Sequence, residues 1–268
     1  MEFSQIIGYV LAIIVGISLG LIGSGGSILT VPILVYIMAV NPILATAYSL
    51  FIVGSTALVG GIQSALLKKV DFKTVLIFGI PSIIAVYITR AYLVPMIPSS
   101  ILQIGGFEIT KSIALMLLFA VVMIMASISM IRPSKNTTTE EEPMKYNYPM
   151  ILLEGTFVGV LTGLVGAGGG FLIIPALVLL AKMPMKLAVG TSLFIIAAKS
   201  LIGFIGDVQK TPNLDWTLLL TFTGFSILGI FIGIGLSKKI DGSKLKTVFG
   251  WFVLCMGIYI ITKELFFH

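Results

Sequence analysis

The chain has 268 residues, 57% hydrophobic and 10% charged, with a mean hydropathy of +1.13. A soluble domain carries about 25% charged residues, so this composition cannot cover a water-facing surface, and apolar runs long enough to cross a bilayer recur throughout. The net charge of +6 is then loop charge of a polytopic helical membrane protein, not a nucleic-acid footprint.

The N-terminal stretch "MEFSQIIGYV" has no basic n-region and no small-residue cleavage site, so the first apolar segment is expected to belong to the fold. That segment, 5–40, is interrupted by "GLIGSGGSILTVPILV" at 20–35. Three uninterrupted spans follow, at about 43–67, 73–94 and 109–131. A polar linker, 132–148, rich in Pro, Thr and charge, reads as a loop with Glu140, Glu141 and Glu142 solvated. A second interrupted segment, 149–181, contains "GLVGAGGGFLIIPALV" at 163–178, and spans at about 187–206, 214–237 and 245–265 complete the chain. As single helices the interrupted segments would run about 54 and 50 Å, against a hydrocarbon core of about 30 Å. Cys255 is the one cysteine and His268 the one histidine, which argues against a disulfide, a thiolate cluster, a histidine-based metal site or a catalytic triad. No cofactor is expected.

The chain is one unit written twice. An offset of 143 aligns the two glycine stretches with nine identities in sixteen positions, and lays Ser49-Leu50-Phe51 on Ser192-Leu193-Phe194 and Ala45 on Ala188. One residue further, Asp71 falls on Asp215. The repeats are 1–131 and 149–268. If each interrupted segment crossed once, the Lys and Arg outside Lys199 would split eight to eight. If each returned to its own side, twelve would collect on one face and four (Arg90, Lys111, Lys210 and Lys263) on the other. The second arrangement obeys the positive-inside rule. It predicts an all-α membrane fold of two inverted repeats, each with one broken re-entrant helical hairpin and three transmembrane helices. Both termini would lie outside and the linker in the cytoplasm.

Glycine clusters unwind a helix and free backbone N–H groups, which membrane depth tolerates only around a buried site or a wet cavity. A helix restarting after such a break aims its N-terminus at the break and favours an anion there. Pro32 and Pro175 fall in the first two turns of the restarted helices, where a missing N–H costs least. The candidate substrate site is therefore Gly23, Ser24, Gly25, Gly26 and Ser27 with Gly166, Ala167, Gly168, Gly169 and Gly170. The bland alternative is close helix packing by small residues. There is no phosphate-loop Gly-Lys-Ser/Thr ending and no acid about 20 residues on, so nucleotide fingerprints are absent.

Lys199, mid-span in "SLFIIAAKSLIGF", costs at least about 2.5 kcal/mol on insertion scales. It should face a buried partner: a substrate anion or, alternatively, Glu154, unless it snorkels to an interface. Its equivalent in the first repeat is Thr56. Glu154 is read as the one acid inside an apolar segment, either interfacial or a proton-coupling carboxylate. Arg90 reads as an interfacial anchor at the outer end of its span. Tyr48, Ser49, Thr191 and Ser192 either line the cavity or serve polar helix packing.

The paired stretches "GLIGSGGSILTVPILV" and "GLVGAGGGFLIIPALV", each followed by Ser-Leu-Phe, resemble the repeat signature of the sulfite exporter TauE/SafE family, over essentially the whole chain. The resemblance implies a bacterial or archaeal plasma-membrane permease for sulfite, sulfoacetate, related sulfonates or other small organic acids. The expected function is a secondary transporter for such an anion, working by alternating access. An anion channel is the alternative. An intramembrane enzyme lacks its nucleophile–base or metal-ligand sets, and a purely structural role would leave the glycines to packing.

Overall fold

The computed structural model describes residues 3–23, 26–104, 107–131, 148–179, 183–209, 214–237 and 242–266. Ser24, Gly25 and residues 132–147 of the predicted linker lie outside them. In chain order the first half holds α1 (Phe3–Ile22), α2 (Gly26–Pro32) running into a π-helical turn (Ile33–Ile37), α3 (Pro42–Leu66), α4 (Phe72–Ile88) with a π-helical turn (Thr89–Leu93), α5 (Val94–Met96), β1 (Ser100–Ile104), β2 (Phe107–Thr110) and α6 (Lys111–Ile131). The second half holds α7 (Tyr148–Val165), α8 (Gly170–Leu179), α9 (Met185–Val208), α10 (Trp216–Leu236) and α11 (Gly242–Phe266). This is an all-α polytopic membrane fold. One departure is a small antiparallel hairpin, β1 on β2, which caps the passage into α6.

Helix starts follow local chemistry. The Asn41 side chain accepts from Ile43 N with Pro42 as the first residue of α3, Asp71 caps α4 through Lys73 N, and Asp215 caps α10 through Leu218 N. Six described helices are long and apolar enough to cross a membrane: those at Ser4–Ile22, Pro42–Leu66, Phe72–Met96, Lys111–Ile128, Lys186–Val208 and Trp216–Leu236. The limb before the first break, α1, is thus itself of crossing length, about 30 Å. Large apolar side chains such as Ile84, Phe157, Leu220, Leu228 and Trp251 stand exposed on the outside of the bundle, the surface a bilayer would cover.

Helix directions can be read from close approaches. Ile13 and Ile17 of α1 meet Gly229 and Gly233 of α10 in the same order, and Tyr48 and Gly60 of α3 meet Asp215 and Ile230 in the same order. So α1, α3 and α10 run one way. Gly155 and Gly163 of α7 meet Phe78 and Thr89, while Asp71 and Arg90 meet Thr191 and Gly206, so α7, α4 and α9 run together. Gly54 meets Leu201 and Gly61 meets Phe194, which sets α3 and α9 antiparallel, and Gly250 and Gly257 set α11 antiparallel to α6. Since α1 and α3 share a direction, the chain between them must come back. It does: Gly26 lies on Val15 and Leu19, and Met38 lies on Gly8. The first interrupted segment is a helical hairpin that returns to the end it started from.

The central pair α3 and α9 supplies the larger core, with Leu50, Ile52, Val53, Leu193, Ile195 and Ile196 fully buried. A second apolar cluster joins Ile28 and Val31 of α2 and Val165 and Ala167 at the second break to Met116, Phe119 and Met123 of α6 and Val253 and Ile260 of α11. The two breaks are thereby held between the α3/α9 layer and the α6/α11 layer. Several glycines elsewhere serve packing. A Cβ on Gly16, Gly20, Gly229 or Gly233 would collide with backbone of the facing helix, so α1 and α10 pack backbone to backbone.

Candidate functional site

Both breaks end their first helix alike. Gly23 N donates to Leu19 O at 2.7 Å and Gly166 N to Thr162 O at 2.8 Å, and the two equivalent glycines take φ of +75° and +73°. In the second loop Gly168 and Gly169 also adopt the left-handed conformation, φ +63° and +64°. The second loop turns inward to the middle of the bundle. A Cβ on Gly168 would stand 2.7 Å from Val53 and 3.3 Å from the Ser27 side chain, so the start of α2 and the second loop touch.

Lys199 reaches this point from α9. It is fully buried, and its Nζ donates to Thr162 Oγ1 at 3.1 Å. The ammonium lies against the backbone of Gly169, where an added Cβ would come within 2.7 Å of Nζ. An ammonium has three donors, and among the described residues Thr162 is the one hydrogen-bond partner. No described carboxylate pairs with it, Glu154 included. Ser200, the next residue, is buried with an Oγ that has no hydrogen-bond partner among the described residues, and that Oγ would lie 3.4 Å from a Cβ on Gly168. One cation, two hydroxyls and a glycine backbone therefore converge with Ser27 in a space too tight for a water molecule on its Thr162–Ala167–Gly169 side.

The remaining expected residues make other contacts. Gly23 packs on Val189, ten residues before Lys199 in α9, or about 15 Å along the helix. Gly26 packs on Leu19, and Gly170 is buried at the start of α8. Ser192 Oγ donates to Val189 O at 2.8 Å and approaches Gly23 O at 3.5 Å. Buried Ser49 has no hydrogen-bond partner for its Oγ among the described residues. Tyr48 and Thr191 are engaged elsewhere: the Tyr48 hydroxyl accepts from Asp215 N at 2.8 Å and Thr191 Oγ1 accepts from Asp71 N at 2.9 Å. These are equivalent contacts, each repeat holding the start of a helix in the other. Glu154 is half-buried on α7 with no charged partner among the described residues.

Arg90 overturns the expectation of an interfacial anchor. It is 1% exposed, its Nη1 lies 3.5 Å from Asp207 Oδ2, and Nη2 lies against Gly166, the first residue of the second loop. Asp207 likewise overturns the reading of Glu154 as the one acid within an apolar segment, and buried Glu264 near the end of α11 is another. The signal was present: "AYLVPMI" continues apolar after Arg90, so that residue is interior to the span Phe72–Met96. Asp207 was a charge just past the expected end of its span, 206, and is interior to Lys186–Val208; Thr162 and Ser200 gave no signal of their own, being ordinary polar residues in apolar helices.

A profile of the family described as "Sulfite exporter TauE/SafE" matches residues 9–260. A protein of Xylella fastidiosa (strain 9a5c) called a probable membrane transporter protein is 31% identical over 94% of this chain and 92% of its own length. Two more with comparable names are YunE of Bacillus subtilis, 29% identical over 98% of this chain and 99% of its own, and MJ0441 of Methanocaldococcus jannaschii, 28% identical over 97% and 98%. No solved structure matches the chain.

Proposed function

The chain belongs to the sulfite exporter TauE/SafE family of membrane transporters, and from that premise we propose that it is a secondary transporter for a small sulfur-containing anion, sulfite or a sulfonate such as sulfoacetate. The observation that carries the reading is Lys199: a fully buried ammonium on a glycine backbone, holding one hydroxyl and no described carboxylate. A charge so placed is costly. An oxyanion between Nζ, Thr162, Ser200 and Ser27 offsets that cost with charge-assisted hydrogen bonds, each worth about 1.5–3 kcal/mol.

The tight packing on the Thr162–Ala167–Gly169 side of the site supports alternating access, in which the hairpins shift against the α6/α11 layer to admit the anion. Equivalent helices of the two repeats run antiparallel (α3 with α9, α6 with α11), which supports repeats inverted across a bacterial or archaeal plasma membrane. The twelve-to-four split of Lys and Arg supports a cytoplasmic linker with both termini outside. Glu154, half-buried on α7, is the candidate for proton coupling.

The test is counterflow of radiolabelled sulfite in proteoliposomes. Unlabelled sulfite trapped inside should drive transient uptake of label, and sulfoacetate outside should compete. Saturating exchange supports a carrier. Flux without counterflow replaces it by a channel, and no flux of sulfite or sulfoacetate returns the substrate to small organic acids.

A further inference from the structure

The second glycine loop touches two buried cations, one at each end. Lys199 lies at Gly169 and Arg90 at Gly166, three residues apart and so within about 11 Å along the chain. Arg90 projects from the π-helical turn Thr89–Leu93, a geometry that recurs at functional sites. Its Nη1 donates to Thr46 Oγ1 at 3.0 Å. The approach of Nη1 to Asp207 Oδ2, 3.5 Å, is well beyond the roughly 2.8 Å of a charge-assisted bond. Among the described residues, Nε and Nη2 of Arg90 and Oδ2 of Asp207 have no hydrogen-bond partner. Lys111, whose Nζ donates to Val94 O, lies within electrostatic reach of both. Two cations, Arg90 fully buried and Lys111 half-buried, and one carboxylate leave this cluster with an excess positive charge.

A buried guanidinium with open donors is expensive unless an acceptor completes it. Its planar fork matches two oxygens of an oxyanion. The equivalent place in the first repeat has no such chemistry: Gly23 meets Val189, the counterpart of Thr46. We propose that Arg90 is a second oxyanion station on the path to Lys199, where the anion takes the place of Asp207 on the guanidinium and Thr46 steadies the complex. Asp207 holds the fork in readiness while the station is empty. The inference rests on the transport reading of the same loop, and the test separates the two.

Thermal unfolding of the purified full-length protein is followed in sulfite, sulfate or sulfoacetate against chloride at matched ionic strength, in a Lys199→Ala background that removes the inner site. Asp207→Asn leaves the guanidinium without its resident carboxylate. It should unfold several degrees earlier in chloride and recover in at least one oxyanion by more than its parent gains. Arg90→Gln, alone or with Asp207→Asn, should show no oxyanion-specific recovery. No larger recovery in Asp207→Asn, or recovery that survives Arg90→Gln, would make the pair a structural ion bridge and overturn the station. Should Asp207→Asn fail to fold, Arg90→Lys with Asp207 intact decides by equilibrium binding of labelled sulfite and sulfate. About tenfold weaker binding upholds the fork and unchanged binding overturns it. Arg90-dependent recovery without counterflow would keep the station and sink the transport reading. Counterflow without such recovery would do the reverse.

Discussion

The two breaks began as one sequence and now differ in chemistry. At the first, Gly26 rests on Leu19; at the second, the equivalent Gly169 rests on Thr162 and the ammonium of Lys199. Gly23 meets Val189, whereas Gly166 meets Thr46 and Arg90. Thr56, the counterpart of Lys199, spends its hydroxyl on Ile52 O, 2.7 Å away in its own helix. The scaffold is therefore doubled while the buried positive charge is gathered at the second break. A symmetric pair of ammonium groups facing a monovalent anion would leave one uncompensated charge in low dielectric, at a cost of several kcal/mol. Asymmetry is the cheaper solution for a monovalent ligand.

That contrast can be broken by substitution. The largest effect belongs to Lys199→Ala, which should lower sulfite exchange about 10- to 100-fold, the equivalent of roughly 1.5–3 kcal/mol. Thr56→Val should leave exchange within about twofold, since Thr56 among the described residues bonds within its own helix; parity of the two variants in proteoliposomes would refute the asymmetry. Gly169→Ala comes next. Its φ of +64° costs a side chain about 1–2 kcal/mol, and the added methyl would displace Thr162 and Lys199, so exchange should fall at least tenfold. Gly224→Ala, with open space around it, is the control and should transport normally. Thr162→Val removes one hydroxyl from Lys199 and should weaken sulfite competition by about three- to tenfold. The smallest effects should come from Tyr48→Phe and Thr191→Val. Each removes one inter-repeat hydrogen bond, lowering thermal stability by about 1 kcal/mol with little change in apparent affinity; a larger drop in affinity than in stability would return these residues to the anion path.

The apolar spans were legible because hydropathy and length constrain a membrane helix strongly. The span predicted at 43–67 became Pro42–Leu66 and that at 214–237 became Trp216–Leu236. The breaks were legible because glycine and proline act on the backbone itself. Lys199 was legible because charge is rare in apolar sequence. Arg90 and Asp207 were misjudged because the expected spans stopped at 94 and 206, near the very residues that the helices bury. The β1–β2 hairpin was missed because four or five residues carry too little periodicity. The roles of Tyr48 and Thr191 depend on how one repeat meets the other, which no local pattern encodes.

The crossed caps at Asp71 and Asp215 also bear on biogenesis. The amide of Asp71 finds its acceptor, Thr191, 120 residues later in the chain, and that of Asp215 finds Tyr48 167 residues earlier. During synthesis the first half leaves the ribosome with the start of α4 still unlatched, and it stays so until α9 is inserted. Duplication followed by this exchange left each half holding the start of a helix in the other, and a split between them would have to reassemble across both latches at once.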